Sequence, residues 1–296
     1  MSDFIKDEFY KRMKKINLNV YGILDADMKI HSLGTDSKII GRVFEMLTQP
    51  ILEGIANDYG FILKTPESQT VYPDFIMMKS SESDEKIAID VKSTYIDNDK
   101  STIKFTLGSF ASYMRNNTKN IEYQYTDYLK HYVIGFIYKR NGAAQESKVY
   151  DISHSNDIIF PYYDVKFFIQ EKYKIAGDKP GSGNTENIGS FKTASFDELK
   201  DGKGPFSALG QEIFDIYWKY YPKYRSTSKE YVSLDEFLKW YPANQDSIEL
   251  LYPCDKAEIL NKIMSYIADH SESDFNENFS EDGVVLNVAE DVILYK

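Results

Sequence analysis

Residues 73–92, PDFIMMKSSESDEKIAIDVK, constrain the fold more than any other stretch of the chain. Phe75 to Lys79 is apolar enough for a buried strand, and Ser80 to Glu85 is a polar turn. Lys86 to Tyr95 alternates strictly, with Ile87, Ile89 and Val91 on one face and Ala88, Asp90 and Lys92 on the other. The pattern predicts a hairpin. Two residues along one strand face are ~7 Å apart, so Asp90 and Lys92 project side by side. If the turn centres near Glu82 and Ser83, position 74 pairs near position 91, and Asp74 lies beside both.

Two carboxylates and an ammonium gathered at the end of a hairpin suit metal-assisted phosphodiester hydrolysis. Mg²⁺ takes carboxylate oxygen and leaves its remaining positions to water and substrate phosphate. Such an ion lowers the pKa of a bound water and stabilises charge on the phosphate, and a lysine beside it orients the water and offsets developing negative charge. On spacing alone a plainer reading stays open, in which Asp74 is a turn residue after Pro73 and Asp90 and Lys92 belong to a solvated strand face.

Longer segments carry more information. YPDF (72–75), KIAIDVKSTY (86–95), IKFTLGSFASYMRNNTKNI (103–121) and AGDKPGSGNTENIGS (176–190) occur in the order and at nearly the spacing of the EcoRV-type restriction endonucleases, within the PD-(D/E)xK nuclease superfamily. The resemblance runs from about residue 4 to residue 241 and is weaker after residue 190. It implies an α/β fold, a restriction-endonuclease-like central mixed β-sheet flanked by helices. It also implies Asp74, Asp90 and Lys92 as the catalytic set, with Asp74 and Asp90 holding Mg²⁺ and Glu45 as an auxiliary metal or water ligand near the scissile phosphate.

The same resemblance assigns DNA-reading parts. The loop 65–71 approaches the minor groove through Gln69 and Thr70, where Thr70 replaces an asparagine of the family. The loop 177–190 reads the major groove through Gly181, Ser182, Gly183, Asn184 and Thr185. Its glycines let the backbone approach a surface, Asn184 can pair bidentately with adenine, and the Thr185 methyl can meet a thymine methyl. Glu186 replaces a family threonine. The match implies GATATC as the target, cut at its centre to blunt ends. Ser93, Thr94, Ser112, Asn117 and Lys119, with Lys223 and Arg225, are the expected phosphate contacts. The hairpin expected over 19–32 is implied to help form a homodimer.

Composition is consistent with this reading once the charge is divided. The net charge of −11 is awkward for a DNA-binding protein. Residues 242–296 hold twelve acids and three lysines, which puts −9 there and −2 on residues 1–241. Affinity for DNA depends on local phosphate contacts, and residues 101–121 (Lys104, Arg115, Lys119) and 219–229 (Lys219, Lys223, Arg225, Lys229) carry base without acid. Either basic stretch alone reads equally as a solvated face. The lone Cys254 excludes internal disulfides and thiolate zinc sites. No apolar run reaches membrane length and the N-terminus lacks a secretory pattern, so a cytoplasmic protein is expected, with the sequons at Asn116 and Asn278 unused.

Helices are expected over 2–16, with Ser2 as a cap, over 36–59 with a kink or break at Pro50, over about 206–225, and over 257–268. Strands are expected over 20–24, 28–31, 131–139 and 165–173, a linker over 269–282, and a terminal strand or helix over 284–295. The domain division is 1–241 for DNA binding and catalysis, and 242–296 for an acidic extension. The expected protein is a type II site-specific deoxyribonuclease acting on double-stranded DNA beside a host methyltransferase. A nicking or repair nuclease of the same superfamily and a catalytically silent DNA-binding or control protein are the alternatives.

Overall fold

The computed structural model describes residues 3–277 apart from Gln69, Asp84, 117–118, 182–185, Tyr224 and Ser228, with side chains described for residues 4–270. The elements begin with α1 (Asp3–Met13), β1 (Gly22–Leu24), β2 (Lys29–Ser32), α2 (Ser37–Tyr59), β3 (Ile62–Lys64), β4 (Phe75–Met78) and β5 (Lys86–Tyr95). They continue with α3 (Phe110–Arg115), β6 (Tyr128–Arg140), β7 (Val149–Asp151), β8 (Tyr162–Glu171), α4 (Lys172–Ile175), β9 (Ala176–Pro180) and β10 (Ile188–Ser190). The remaining helices are α5 (Phe196–Asp201), α6 (Gln211–Tyr220), α7 (Leu234–Asn244) and α8 (Lys256–Glu277). The chain divides into two units, residues 1–253 and 254–296. Helix α7 passes through residue 241.

The first unit is built on a five-stranded mixed sheet in the order β3-β4-β5-β6-β8. Only the β5–β6 pair is parallel. The helix and turns between those two strands supply the long crossover that parallel pairing requires. Strand β5 is therefore interior, and its first six residues are buried. Ile87, Ile89 and Val91 join Phe44, Leu52 and Ile55 of α2 and Phe9 of α1 in the core on one side of the sheet. Phe44 stacks on Phe136 of β6 with ring centroids 4.4 Å apart. Gly135 of β6 must lack a side chain, because a Cβ there would lie 2.4 Å from the Phe168 ring.

Helix α2 starts where Asp36 accepts hydrogen bonds from the backbone of Lys38 and Ile39, and ends at Gly60, whose φ of 66° closes the last turn. Of the kink or break expected at Pro50, the break does not occur; the proline lies within a continuous helix of 23 residues. The apolar stripe buried against the sheet outweighs the one backbone hydrogen bond that proline forgoes.

Other elements depart from the sequence reading in bounded ways. The small hairpin forms, with β1 starting at Gly22, but β7 from 120 residues later adds a third strand to it. Strand β8 stops at Glu171, so Lys172 and Tyr173 belong to α4. The aromatic helix is shorter than expected and spans Gln211–Tyr220. Helix α8 runs to Glu277 through residues expected to be linker; acidic character does not break a helix that contains neither proline nor glycine. Ser2 and residues 284–295 lie outside the described residues.

Asp215 of α6 shows how tightly the second side of the sheet is packed. It is buried, and its Oδ1 accepts hydrogen bonds from the Tyr125 hydroxyl at 2.6 Å and Gln211 Nε2 at 2.7 Å. Burial raises its pKa to about 8 despite those donors. A carboxyl raised in the folded state favours folding most at low pH and loses that contribution as pH climbs toward and through 8. Urea midpoints should therefore diverge between pH 5 and pH 8.5, with Asp215→Asn gaining on the wild-type protein as pH rises. A constant difference across that range would show that Asp215 stays ionised in the fold.

Candidate active site

The β4–β5 ladder pairs Phe75 with Ile89 and so centres on Glu82. One step beyond, Asp74 stands opposite Asp90, where the sequence reading put it nearer position 91. The shift improves the site, because directly opposed residues of an antiparallel pair share a sheet face. Asp74 Oδ2 accepts a 2.7 Å hydrogen bond from the Val91 backbone N–H. Lys92 Nζ lies 2.7 Å from Asp90 Oδ1 and 3.7 Å from Asp74 Oδ2. Asp74, Asp90 and Lys92 thus converge as the hairpin predicts, and the plainer reading of a solvated strand face fails, since Asp90 is only 4 % exposed.

Sequence reasoning missed the fourth member of the cluster. Lys172, fully buried at the start of α4, brings its ammonium to 3.3 Å from Asp90 Oδ2. It also lies 4.3 Å from the Tyr72 ring centre and 4.1 Å from that of Phe110. Tyr72 in turn hydrogen-bonds through its hydroxyl to His131 Nδ1 at 2.8 Å. Burial holds that imidazole neutral, well below its ordinary pKa.

The charges sort the two carboxyls. Burial and the neighbouring Asp90 charge raise Asp74 to about 7. Burial works against ionisation of Asp90 too, but Lys92 and Lys172 outweigh it and hold the group at about 2. For Lys92 burial opposes the charge and the two aspartates prevail, so it keeps its proton above the ordinary lysine range. Lys172 is brought down to about 8 by burial, against the pull of Asp90. The result is an ionised aspartate between two ammonium groups, with a second carboxyl poised to ionise when further positive charge arrives.

Asp74, Lys92 and Ser93 open onto a cleft of about 600 Å³, which Glu45 and Arg42 of α2 also line. Glu45 does not touch the aspartates; its Oε2 pairs with Arg42 at 2.6 Å. Ser93 faces Gly41 of α2, where a Cβ would come within 3.2 Å of its hydroxyl. Thr65, Pro66, Glu67, Ser68 and Val71 bring the 65–71 loop to the same cleft. Thr70 is exposed and its hydroxyl lies 3.0 Å from that of Ser68. Gln69 lies outside the described residues.

The second loop is closed at its base and anchored to residues 107–109, just before and at the start of α3. Gly181 N–H donates to Asn187 O at 2.7 Å, and Gly181 and Gly189 approach so closely that a Cβ on either would fall under 3 Å from the other's Cα. Leu107 N–H donates to Ile188 O, and the Ser109 hydroxyl to Asn187 Oδ1, each at 2.7 Å. The tip, Ser182, Gly183, Asn184 and Thr185, lies outside the described residues. Glu186 pairs with Arg115 at 3.3 Å. Arg115 is not part of a basic surface, as residues 101–121 suggested; its guanidinium donates to the carbonyls of Trp218, Lys219 and Tyr221 at the end of α6.

Of the expected phosphate contacts, Lys119, Lys223 and Arg225 are exposed. Thr94 is half-buried on the Asp90 side of β5. Ser112 donates its hydroxyl to Ser109 O at 2.7 Å. Asn117 lies outside the described residues. Among the described residues no three His, Cys, Asp or Glu side chains gather to enclose a metal. Asp74 on the open cleft, with the buried Asp90 opposite it, instead fits an ion such as Mg²⁺, which keeps several waters and takes only one or two protein carboxylates.

Comparison with known proteins decides the family. The family model for restriction endonuclease EcoRV matches residues 13–242, and the type II restriction enzyme EcoRV of Escherichia coli is 42% identical over 224 residues, 75% of this chain and 90% of that protein. The chain belongs to the EcoRV restriction endonuclease family. A solved structure of the NlaIV restriction endonuclease is also similar, at 11% identity and a TM-score of 0.32, over 88% of this chain and 95% of that one. The EcoRV-family match spans the sheet, both loops and the cleft, and it identifies a site-specific nuclease. Residues 243–296 lie beyond the matched region.

The coupling of the aspartates is directly measurable. In the metal-free protein one carboxyl should titrate near pH 7 by carbon-13 NMR, and in Asp90→Asn that step should move downward, because a negative neighbour has been removed. A titration left where it was would assign the whole displacement of Asp74 to burial.

Proposed function

We propose that the chain is a homodimeric, Mg²⁺-dependent type II restriction endonuclease that cuts double-stranded DNA at the centre of GATATC, leaving blunt ends with 5′-phosphates. The observation that carries this reading is the meeting of Asp74 and Lys92, which line one cleft, with the buried Asp90 beside them in a chain of this family. Asp74 and Asp90 hold the ion. When bound, Mg²⁺ supplies Lewis-acid stabilisation of charge on the phosphate and eases deprotonation of water. Lys92 orients the attacking water and offsets charge developing on the phosphorus oxygens. Glu45, across the cleft, helps to position water or an ion. Attack in line forms the new phosphorus–oxygen bond as the bond to the 3′ oxygen breaks, and that oxygen leaves as a 3′-hydroxyl.

Specificity rests on the loop Gly181, Ser182, Gly183, Asn184 and Thr185. Asn184 pairs with adenine and the Thr185 methyl meets thymine. The central TA step is read through its ease of kinking. Glu186 does not endanger that loop through repulsion of phosphate, because Arg115 takes its charge. Gln69 and Thr70 approach the minor groove. Ser93, Thr94, Ser112, Asn117, Lys119, Lys223 and Arg225 position the backbone.

A palindromic site matches a two-fold protein. An apolar groove of about 610 Å³ between β1 and α2, lined by Ile23, Leu24, Val43 and Met46, supports the dimer. Ile23 and Met46 expose more than 60 % of their surface in the single chain, and a second copy would cover them. The enzyme acts in the cytoplasm, where a host methyltransferase of matching specificity guards the genome. No helix among the described residues is long and apolar enough to cross a membrane.

Digestion of a sequenced plasmid with Mg²⁺ tests the reading. The expected result is a blunt cut at GATATC by a protein that sediments as two chains. Staggered ends, another consensus, or a single-chain mass would each remove the corresponding part. Lys92→Ala and Asp90→Ala should each lose at least about 100-fold in cleavage. Lys92→Ala should still retard DNA in a gel, since the phosphate contacts lie elsewhere. Cleavage at the wild-type rate by either variant would dismiss the assignment of the site.

A further inference from the structure

Lys172 has no part in the chemistry described above, yet its environment is costly. A buried ammonium carries a large desolvation penalty unless it is paired. Apolar residues of similar volume can commonly replace a whole buried ion pair at no loss of stability, so such a pair is weak evidence of a purely stabilising role. Here the ammonium is enclosed by the rings of Tyr72 and Phe110 and meets Asp90 Oδ2 at 3.3 Å. The other oxygen of that carboxylate, Oδ1, is held by Lys92 at 2.7 Å. Asp90 is thus gripped at both oxygens, from the cleft by Lys92 and from the interior by Lys172.

Two-point restraint fixes rotation about the Cβ–Cγ bond, which neither lysine could do alone. The interior contact also reaches the other half of the site, because Tyr72 precedes Pro73 and Asp74 in the chain. Tyr72 is fixed by its hydrogen bond to His131, so the wall against which Lys172 rests is itself rigid. Loss of a group that orients a metal-holding side chain costs about 10–100-fold in affinity or activity.

We propose that Lys172 is a positioning residue for DNA cleavage, setting the plane of the Asp90 carboxylate from behind the cleft. The proposal rests on the reading of Asp74 and Asp90 as the Mg²⁺-holding pair. It separates two quantities that usually fall together. Without Lys172, Asp90 turns more freely and cleavage slows. One cation fewer stands beside the carboxylates, so a divalent ion binds as well as before or better.

The test uses the full-length protein and its Lys172→Met and Lys172→Gln variants. Single-turnover cleavage is measured on a duplex carrying the cut site mapped with the wild-type enzyme, and Mn²⁺ binding is measured alone by electron paramagnetic resonance. Lys172→Met should cleave about 10–100-fold more slowly, while half-saturation with Mn²⁺ stays put or shifts to lower concentration. Lys172→Gln, whose amide can still donate to Oδ2, should recover part of the rate. Cleavage by Lys172→Met within twofold of wild type overturns the proposal, as does weakening of Mn²⁺ binding in step with the rate. Failure of both variants to fold, judged by circular dichroism, assigns Lys172 to stability and also overturns it. Absence of Mg²⁺-dependent cleavage by the wild-type protein instead removes the nuclease reading and this inference with it.

Discussion

An ionised carboxylate in the interior of a sheet must be compensated, and Asp90 is compensated twice. Lys92 reaches it from two positions along the same strand and Lys172 from a helix that begins 82 residues later in the chain. The rest of the site takes its form from that constraint. Strand β6 separates β5 from β8, and Lys172, which follows β8 directly, reaches across to Asp90. Asp74 has to lie opposite, where burial and Asp90's charge raise its pKa, and the Val91 N–H has to be free to hold its carboxylate. A site assembled this way balances its buried charges and restrains Asp90 at both of its oxygens.

The polar groups around this centre are supported by aromatic packing. Tyr72, Phe110, Tyr125 and His131 form a contiguous cluster behind the cleft, in which Phe110 meets Tyr72 and His131 edge-on and Tyr125 stacks on His131 with ring centres 4.7 Å apart. Such a wall excludes water from the back of the cluster, where low dielectric strengthens each charge–charge contact. It also ties the hairpin to α3, and α3 to the base of the second loop through Arg115 and Glu186. Helix α3 thus meets both the base of the second loop, through Arg115 and Glu186, and the buried Lys172, through Phe110.

Much of this was legible in the sequence, and for identifiable reasons. Period-two alternation over residues 86–95 and a polar turn before it sufficed to predict the hairpin, because register follows from turn length when one face is buried. Helix α2 was marked by its apolar stripe, and only its tolerance of Pro50 was not. The roles given to Glu45 and to the loops came from resemblance to a family and could not have come from composition. Residues 269–277 were misread because acidity was taken as a sign of linker, when the absence of proline and glycine was the stronger signal for helix.

The sequence by itself determined the local things: which face of β5 carries Asp90 and Lys92, where the chain turns back to bring Asp74 to them, and where α2 begins and ends. These depend on neighbours in the chain, through side-chain alternation, turn length and capping. Tertiary structure alone decided that Lys172 would be buried against Asp90, that Arg115 would cap α6 and hold Glu186 instead of facing DNA, and that β7 would complete the small sheet. Each of those joins residues 71 to 122 positions apart. No periodicity links such pairs. They are fixed by the cost of leaving a buried charge or a helix carbonyl unpaired, a cost that exists only once the chain has folded.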